Sequence, residues 1–198
     1  KDVVEECVLH MRLDHANIVR CYGWAAPHED VGATSAFWVV LEMMDGGGLD
    51  AYLRSWTRDK GKPVPASWSI GWGAQIASAL AYMHGMNIVH RDVAARNVVL
   101  QLPPEGGGSE SIAPTAKLTD FGLSRAAKKR HRRGGGARKR QEVSYYATVD
   151  TETGNLRQAI PIAWTAPECL IISQARAGHD VVRASTGNDV WAWGVPLW

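Results

Sequence analysis

Three short strings in a fixed order constrain this chain more than any other feature of its sequence. Residues 90–97 read HRDVAARN, residues 120–122 read DFG, and residues 166–168 read APE. Each string alone is weak evidence, because a tripeptide occurs in many unrelated proteins. Each one also falls where the surrounding pattern predicts a loop. Their joint occurrence therefore predicts one architecture that uses all three loops.

Together the strings resemble the C-terminal lobe of a protein kinase. The resemblance implies an α+β, two-lobe kinase-like fold that is only partly present. Residues 1–41 would be the N-lobe portion from the family's helix αC to its fifth strand, residues 42–48 the hinge, and residues 49–198 a C-lobe portion truncated in helix αF. The chain has no Gly-rich loop and no V-A-x-K lysine. We therefore expect a piece of a longer product, with little activity in isolation.

The catalytic string implies specific roles for its polar residues. A transferring phosphoryl group spreads negative charge over its oxygens, so the protein mainly positions the acceptor and holds cations. By the resemblance, Asp92 accepts the acceptor's proton, Arg96 belongs to the same catalytic loop, and Asn97 and Asp120 bind Mg²⁺ beside ATP. Both are oxygen ligands, which suit Mg²⁺. The alternative for Asp92 is a surface ion pair, but Asn97 follows at the family's spacing.

The resemblance also assigns residues to the ATP site. Glu6 lies nine residues before the histidine of the LDHANIV turn, which makes it the candidate partner of the ATP-binding lysine. Its alternative is an exposed helix glutamate beside Glu5. By the same resemblance, Leu41 is the gatekeeper. The backbone of Glu42 and Met44 would hydrogen-bond the adenine, and Val99 would pack under it.

Hydrophobic periodicity predicts the elements between the motifs. Residues 2–12 favour a helix with Val4, Val8 and Met11 on its apolar face. Residues 37–41 favour a buried strand. Residues 67–86 favour an amphipathic helix, N-capped by Ser67 and with an apolar stripe at Trp68, Trp72, Ile76, Leu80 and Met83.

Two strands and a final helix complete this pattern. Residues 98–100 and 116–119 favour strands on either side of a Pro/Gly/Ser-rich insertion at 102–114, and residues 188–195 resemble the start of helix αF. His90 is expected to be a structural core residue. The family usually has a large apolar residue, stacked on the DFG phenylalanine, at the position that is His10 here.

Two separate segments favour tyrosine as the acceptor. Ala94-Ala95-Arg96 follows the catalytic aspartate, where serine/threonine kinases usually place a lysine, and residues 160–165 read IPIAWT, which resembles the tyrosine-kinase form. A serine/threonine or dual-specificity kinase is the alternative. A pseudokinase or scaffold is another alternative, and it becomes the better interpretation if no ATP-binding lysine precedes the chain.

Regulation is predicted in the stretch between the DFG and APE strings. Arg91 would meet a phosphate on the activation loop, and Tyr145 and Tyr146 are the candidate phosphosites. Residues 128–140 hold eight of the 22 Lys and Arg residues, and the remaining 14 face 20 Asp and Glu. This basic run is either a solvated insertion, a contact for an anionic partner or import factor, or an intrasteric brake on the kinase site. It has no interleaved aromatic residues, which argues against nucleic-acid binding.

Composition sets the remaining expectations. No apolar run reaches the roughly 18 residues of a membrane span. The three cysteines are odd in number and form no C-x-x-C pair, which predicts reduced thiols and an intracellular protein, cytoplasmic or on the cytoplasmic side of a receptor. The basic run at 128–140 leaves a nuclear location open. The partner implied by the resemblance is a protein substrate that carries tyrosine.

Overall fold

The structure is a computed structural model that describes residues 2–25, 38–104, 112–122, 124–126, 143–146, 164–167, 181–184 and 186–195. The chain forms two compact units, Lys1–Tyr82 with Ala95–Gly122, and Met83–Ala94 with Leu123–Trp198. The regular elements follow in the order α1 (Asp2–Met11), β1 (Cys21–Ala25), β2 (Trp38–Leu41), β3 (Gly47–Gly48), α2 (Leu49–Lys60), α3 (Ala66–Gly85), β4 (Ile88–Val89), a 3₁₀ turn (Ala95–Asn97), β5 (Val98–Gln101), β6 (Thr115–Leu118), β7 (Arg125–Ala126), β8 (Val143–Tyr146), β9 (Val181–Ala184) and α4 (Thr186–Gly194).

Helix α1 forms where the sequence predicts it, but it buries a different face. Val8 and Met11, which were assigned to the apolar face, are each 49% exposed. Cys7 and His10 are buried instead. Residues three apart share one side of a helix, so Cys7 and His10 define the buried stripe. The apolar-face prediction was wrong for Val8 and Met11 because it followed side-chain hydrophobicity, whereas a histidine occupies the core side. The side chain of Val4 lies outside the described part of the chain.

The first unit contains two small antiparallel sheets. Strand β1 pairs with β2, and β5 lies between β3 and β6. The prediction of a strand at 37–41 is confirmed for the described residues 38–41, but the prediction that this strand is buried is wrong, because all four side chains of β2 are exposed. β-Branched and aromatic composition favours a strand without stating which neighbours cover it. Phe37 lies outside the described residues.

Helix α3 confirms the predicted stripe of large residues. All five members are buried, and they are Trp68, Trp72, Ile76, Leu80 and Met83. The helix begins at Ala66, so Ser67 lies inside its first turn and does not cap it. The indole N–H of Trp72 donates to the carbonyl of Pro114 over 2.7 Å. The ring of Trp68 makes edge-to-face contacts with the rings of Trp56 and Trp72.

The two predicted strands around the insertion form one antiparallel pair. Val98 faces Leu118, and Gln101 faces Thr115. Residues 105–111 of the insertion lie outside the described part of the chain. The pair is anchored to helix α3, since the amide of Ala116 donates to Oε1 of Gln75 over 2.7 Å.

The described part of the second unit includes two strand pairs and helix α4. Strand β4 pairs antiparallel with β7, and β8 pairs antiparallel with β9. Asp189, in the first turn of α4, is fully buried. A buried carboxylate requires hydrogen-bond donors, and the backbone around His90 supplies them. The described helices include none that is long and apolar enough to cross a membrane.

Candidate functional site

The register of β5 and β6 brings two predicted site residues to the same end of one strand pair. Asn97 immediately precedes Val98, and Asp120 follows Leu118 by two residues, while Val98 and Leu118 face each other. The amide of Thr119 also donates to the carbonyl of Asn97 over 2.9 Å. The side chain of Asn97 is buried and that of Asp120 is exposed. The two proposed metal ligands therefore lie at the end of the pair that is opposite the insertion.

Asp120 has a backbone conformation that non-glycine residues rarely adopt. Its φ is 63°, in the left-handed region, and Arg91 of the catalytic string has a φ of 75°. The side chain of Asp120 stabilises this backbone conformation, because its Oδ1 accepts a hydrogen bond from the amide of Gly122 over 3.3 Å. Backbone strain of this kind concentrates at functional sites, where surrounding contacts hold it.

Gly122 lies between two carboxylates of the first unit. A Cβ at this position would lie 3.3 Å from Oδ1 of Asp120 and 3.3 Å from Oε2 of Glu6. Glycine therefore lets the backbone approach both acids closely. The structure thus places Glu6 of α1 beside the DFG string, as the interpretation of α1 as helix αC requires. The sequence contains no V-A-x-K lysine, which is the partner proposed for Glu6.

The aromatic ring of the DFG string is enclosed by α1. Phe121 is 1% exposed, and its ring centroid lies 4.4 Å from that of His10. His10 therefore occupies the stacking position that the sequence assigns to it. Close by on α1, burial raises the pKa of the Cys7 thiol, and Cys21 and Glu6 raise it further. A protonated, buried thiol is a poor nucleophile.

The predicted hinge is tied to two other segments by the side chain of Glu42. The Glu42 carboxylate accepts hydrogen bonds from Nζ of Lys117 in β6 and, over 3.1 Å, from the amide of Arg20. The amide of Glu42 donates to the carbonyl of Arg20 over 2.8 Å. Burial favours the neutral acid, but the bonds from Lys117 and Arg20 and their charges outweigh it and lower the pKa of Glu42.

The ion pair between Lys117 and Glu42, the Lys117–Glu42 clamp, borders a pocket of about 240 Å³. Polar residues line this pocket, and they include Asp14, His15, Arg20, Glu42 and Lys117. Sequence reasoning did not identify the clamp. The signal for it was a lone lysine in an otherwise apolar and small-residue strand next to the DFG string, Ala116-Lys117-Leu118.

The other nucleotide-site predictions also fall in the first unit. Gly46 donates its amide to the carbonyl of Leu100 over 2.9 Å, and a Cβ on Gly46 would lie 2.8 Å from that oxygen. This contact brings the predicted hinge segment against β5, which carries Val99. Leu41 is 40% exposed, and Val99 and Met44 are partly buried.

The first part of the catalytic string, residues 90–94, lies in the second unit and is held by Asp189. The Asp189 carboxylate accepts hydrogen bonds from the amides of His90 and Arg91 over 2.9 and 2.8 Å, and its Oδ2 lies 2.9 Å from Nε2 of His84. His90 is fully buried, which confirms its structural role. Its Nδ1 accepts from the amide of Asp92 over 3.3 Å. The loop therefore presents Asp92 from a backbone that is hydrogen-bonded on both sides.

The start of the APE string is held in the same unit. The amide of Ala166 donates to Oδ1 of Asn188 over 3.0 Å, and both residues are buried. Arg96 lies in the 3₁₀ turn, with an exposed side chain. Sequence reasoning missed the roles of Asn188 and Asp189, although it located the helix that carries them.

Several predicted residues have limited or no structural description. Tyr145 and Tyr146 lie in β8, where they face Val182 and Val181 of β9. Residues 128–140, residues 161–163 and Glu168 lie outside the described part of the chain. The phosphosite assignment and the role of the basic run therefore stay predictions.

Comparison with known proteins identifies the family. The profile described as "Protein tyrosine and serine/threonine kinase" matches residues 1–198. Tyrosine-protein kinase Abl of Drosophila melanogaster is 30% identical over 198 residues, which are 100% of this chain and 9% of that protein. Tyrosine protein-kinase src-1 of Caenorhabditis elegans is 31% identical over 195 residues, 98% of this chain and 28% of that protein. The chain belongs to the protein kinase family and spans less than a third of these relatives.

The site fits Mg²⁺ better than a metal held by the protein alone. Among the described residues no group of three or more His, Cys, Asp or Glu side chains comes together to hold a metal ion. The amide oxygen of Asn97 and the carboxylate of Asp120 are hard donors at one end of a strand pair. Mg²⁺ is typically bound by one or two such groups together with phosphate and water, so the donor set fits.

Proposed function

We propose that this kinase domain transfers the γ-phosphoryl group of ATP to the hydroxyl of a protein tyrosine. The observation that carries the proposal is the family match over residues 1–198, in a chain that contains Asp92, Asn97 and Asp120 at the motif positions. The arrangement of Asn97 and Asp120 at one end of the β5–β6 pair supports a shared cation site. In this proposal residues 1–41 and 49–198 belong to two lobes, joined by a hinge at 42–48.

The proposed chemistry needs little from the protein besides position and charge. Mg²⁺, when bound, would neutralise the charge that develops on the phosphate oxygens. Asn97 and Asp120 would hold it, and the backbone of Glu42 and Met44 with the side chains of Leu41 and Val99 would hold the adenine. Asp92 would orient the acceptor hydroxyl and accept its proton.

The choice of tyrosine is supported by two features of the sequence and by the relatives. Ala94 stands where serine/threonine kinases usually carry a lysine, and residues 160–165 resemble the tyrosine-kinase platform. The relatives at about 30% identity are named as tyrosine kinases. In the same proposal Arg91 binds a phosphate that is added at Tyr145 or Tyr146.

A peptide mixture tests the acceptor class directly. The full-length protein is incubated with Mg²⁺-ATP and equal amounts of one peptide in three forms that differ only in carrying tyrosine, serine or threonine. Mass spectrometry then counts the phosphorylated products. We expect phosphotyrosine to dominate. Mainly phosphoserine or phosphothreonine would overturn the tyrosine assignment, and no phosphopeptide of any kind would overturn the catalytic one.

A further inference from the structure

His10 makes two different contacts from a buried position on α1. Its ring lies against Phe121, with 4.4 Å between the ring centroids and 43° between the planes. Its Nε2 lies 2.6 Å from the carbonyl oxygen of Val19. Because a carbonyl only accepts, Nε2 must carry the proton and donate it. His10 and Val19 are 5% and 2% exposed, so this hydrogen bond is shielded from water.

Val19 is in turn hydrogen-bonded to Leu118, in the strand that leads into the DFG string. Its amide donates to the carbonyl of Leu118 over 2.9 Å, and the amide of Leu118 donates to the carbonyl of Asn17 over 2.9 Å. Leu118 is the last residue of β6, two positions before Asp120. His10 therefore contacts this segment directly through Phe121 and indirectly through Val19 and Leu118.

These contacts restrain both the rotation of α1 about its own axis and its distance from the DFG string. Stacking on Phe121 is an apolar contact that tolerates sliding, whereas a hydrogen bond to a backbone carbonyl sets direction and distance. Glu6 lies one turn before His10 on the same side of the helix, and its Oε2 would lie 3.3 Å from a Cβ on Gly122. A rotation of α1 at His10 would therefore move the Glu6 carboxylate as well.

We propose that His10 is a positioning residue whose hydrogen bond to the carbonyl of Val19, more than its stacking on Phe121, holds Glu6 beside the DFG string. This inference rests on the proposed phosphoryl transfer, to which Glu6 contributes. Losing the bond leaves a buried carbonyl without this donor. A purely apolar side chain at position 10 could keep the stacking but could not replace the hydrogen bond.

Three substitutions separate the two contacts. His10→Phe keeps an aromatic ring and removes the donor. His10→Gln removes the ring but places an amide N–H at the same number of bonds from Cα as the histidine Nε2. His10→Leu removes both. Met11→Gln, at a 49% exposed position on the same helix, is the matched control.

We expect His10→Phe to lower kcat/KM by about tenfold, the loss that one net hydrogen bond supports. His10→Gln should stay within about threefold of wild type, and it should exceed His10→Leu by about tenfold. The Gln and Leu pair gives the same test without an aromatic ring if His10→Phe does not fold. A His10→Phe enzyme as active as wild type, or a Gln variant no better than Leu, would overturn the proposal.

Hydrogen exchange distinguishes failure of this inference from failure of the proposed function. Amide exchange is measured by mass spectrometry, without nucleotide, in the peptide covering α1 and in a peptide from α3 as internal reference. Exchange in α1 should be about tenfold faster in His10→Phe than in wild type and unchanged in α3. Unchanged α1 exchange would overturn the positioning role, even if the wild-type protein transferred no phosphate. Faster α1 exchange in a protein without activity would count against the catalytic proposal alone.

Discussion

The ion pair between Lys117 and Glu42 provides a quantitative test of how the hinge is held. The two side chains are only 12% and 18% exposed. Lys117→Met removes the ammonium group and keeps an apolar stem of similar length. The Glu42 carboxylate then keeps the amide of Arg20 but loses its closest cation.

The expected cost follows from this geometry. A hydrogen bond to a charged group contributes roughly 1.5–3 kcal/mol, and breaking a fully buried ion pair costs roughly 3–5 kcal/mol. This pair is partly exposed and one backbone donor remains, so we expect the free energy of unfolding to fall by about 2 kcal/mol. For a domain of this length, that corresponds to a decrease in Tm of about 4–8 °C.

A double-mutant cycle measured by scanning calorimetry isolates the interaction. It uses Lys117→Met, Glu42→Gln and the double variant, and we expect a coupling of at least about 1 kcal/mol. The control is Arg54→Met, because Arg54 pairs with Asp50 on the exposed surface of α2. That change should cost less than about 0.5 kcal/mol. A Lys117–Glu42 coupling below about 0.5 kcal/mol would refute the reasoning.

The pair should also make stability depend on pH in a defined direction. Although burial opposes ionisation, the bonds and charges from Lys117 and Arg20 lower the pKa of Glu42 below its ordinary value of 4.5. Its stabilising contribution is therefore complete above that value and is lost as the pH falls through the lowered pKa. The difference in Tm between wild type and Lys117→Met should shrink in acid. A constant difference from about pH 6 to pH 3 would contradict this.

Two further predictions concern the second unit. Asp189→Asn should lower the free energy of unfolding by about 3 kcal/mol. In the wild type, the buried Asp189 carboxylate accepts hydrogen bonds from the amides of His90 and Arg91, and in the variant the NH₂ group of asparagine would face one of these donors. Calorimetry with Asp59→Asn as the exposed control, 58% accessible, measures the difference. Replacing Tyr145 and Tyr146 together with Phe should lower activity and remove autophosphorylation from this segment, as read by phosphopeptide mapping. Unchanged activity, with phosphate mapped only elsewhere, would rule out Tyr145 and Tyr146 as regulatory phosphosites.

The sequence predicted the fold best where the pattern was local. The stripe from Trp68 to Met83 is confirmed because one helix period decides which of its residues face the core. The strands around 98–101 and 115–118 are confirmed for a similar reason, since a strand, an insertion and a second strand favour an antiparallel pair. Helix α2 was not predicted, although Leu49, Tyr52, Leu53 and Trp56 follow the i, i+3, i+4, i+7 spacing of an amphipathic helix.

Predictions of burial failed where tertiary neighbours decide it. The composition of β2 gives no information on which elements cover it, so its exposure could not be deduced. In α1 the family resemblance placed His10 against the DFG phenylalanine, but the hydrogen bond from His10 to the carbonyl of Val19 could not be deduced from the sequence. The Lys117–Glu42 clamp joins residues 75 positions apart. Contacts over such separations leave no local periodic signal.

The roles of Asp92 and Asp120 test the central claim most directly. In the full-length protein, Asp92→Asn should reduce single-turnover transfer to a tyrosine peptide by about 10²–10⁴ and leave Mg²⁺-ATP affinity nearly unchanged. Asp120→Asn should instead weaken Mg²⁺-ATP binding, measured by calorimetric titration. If Asp92→Asn transferred phosphate at close to the wild-type rate, the assignment of this chain's catalytic base would be contradicted.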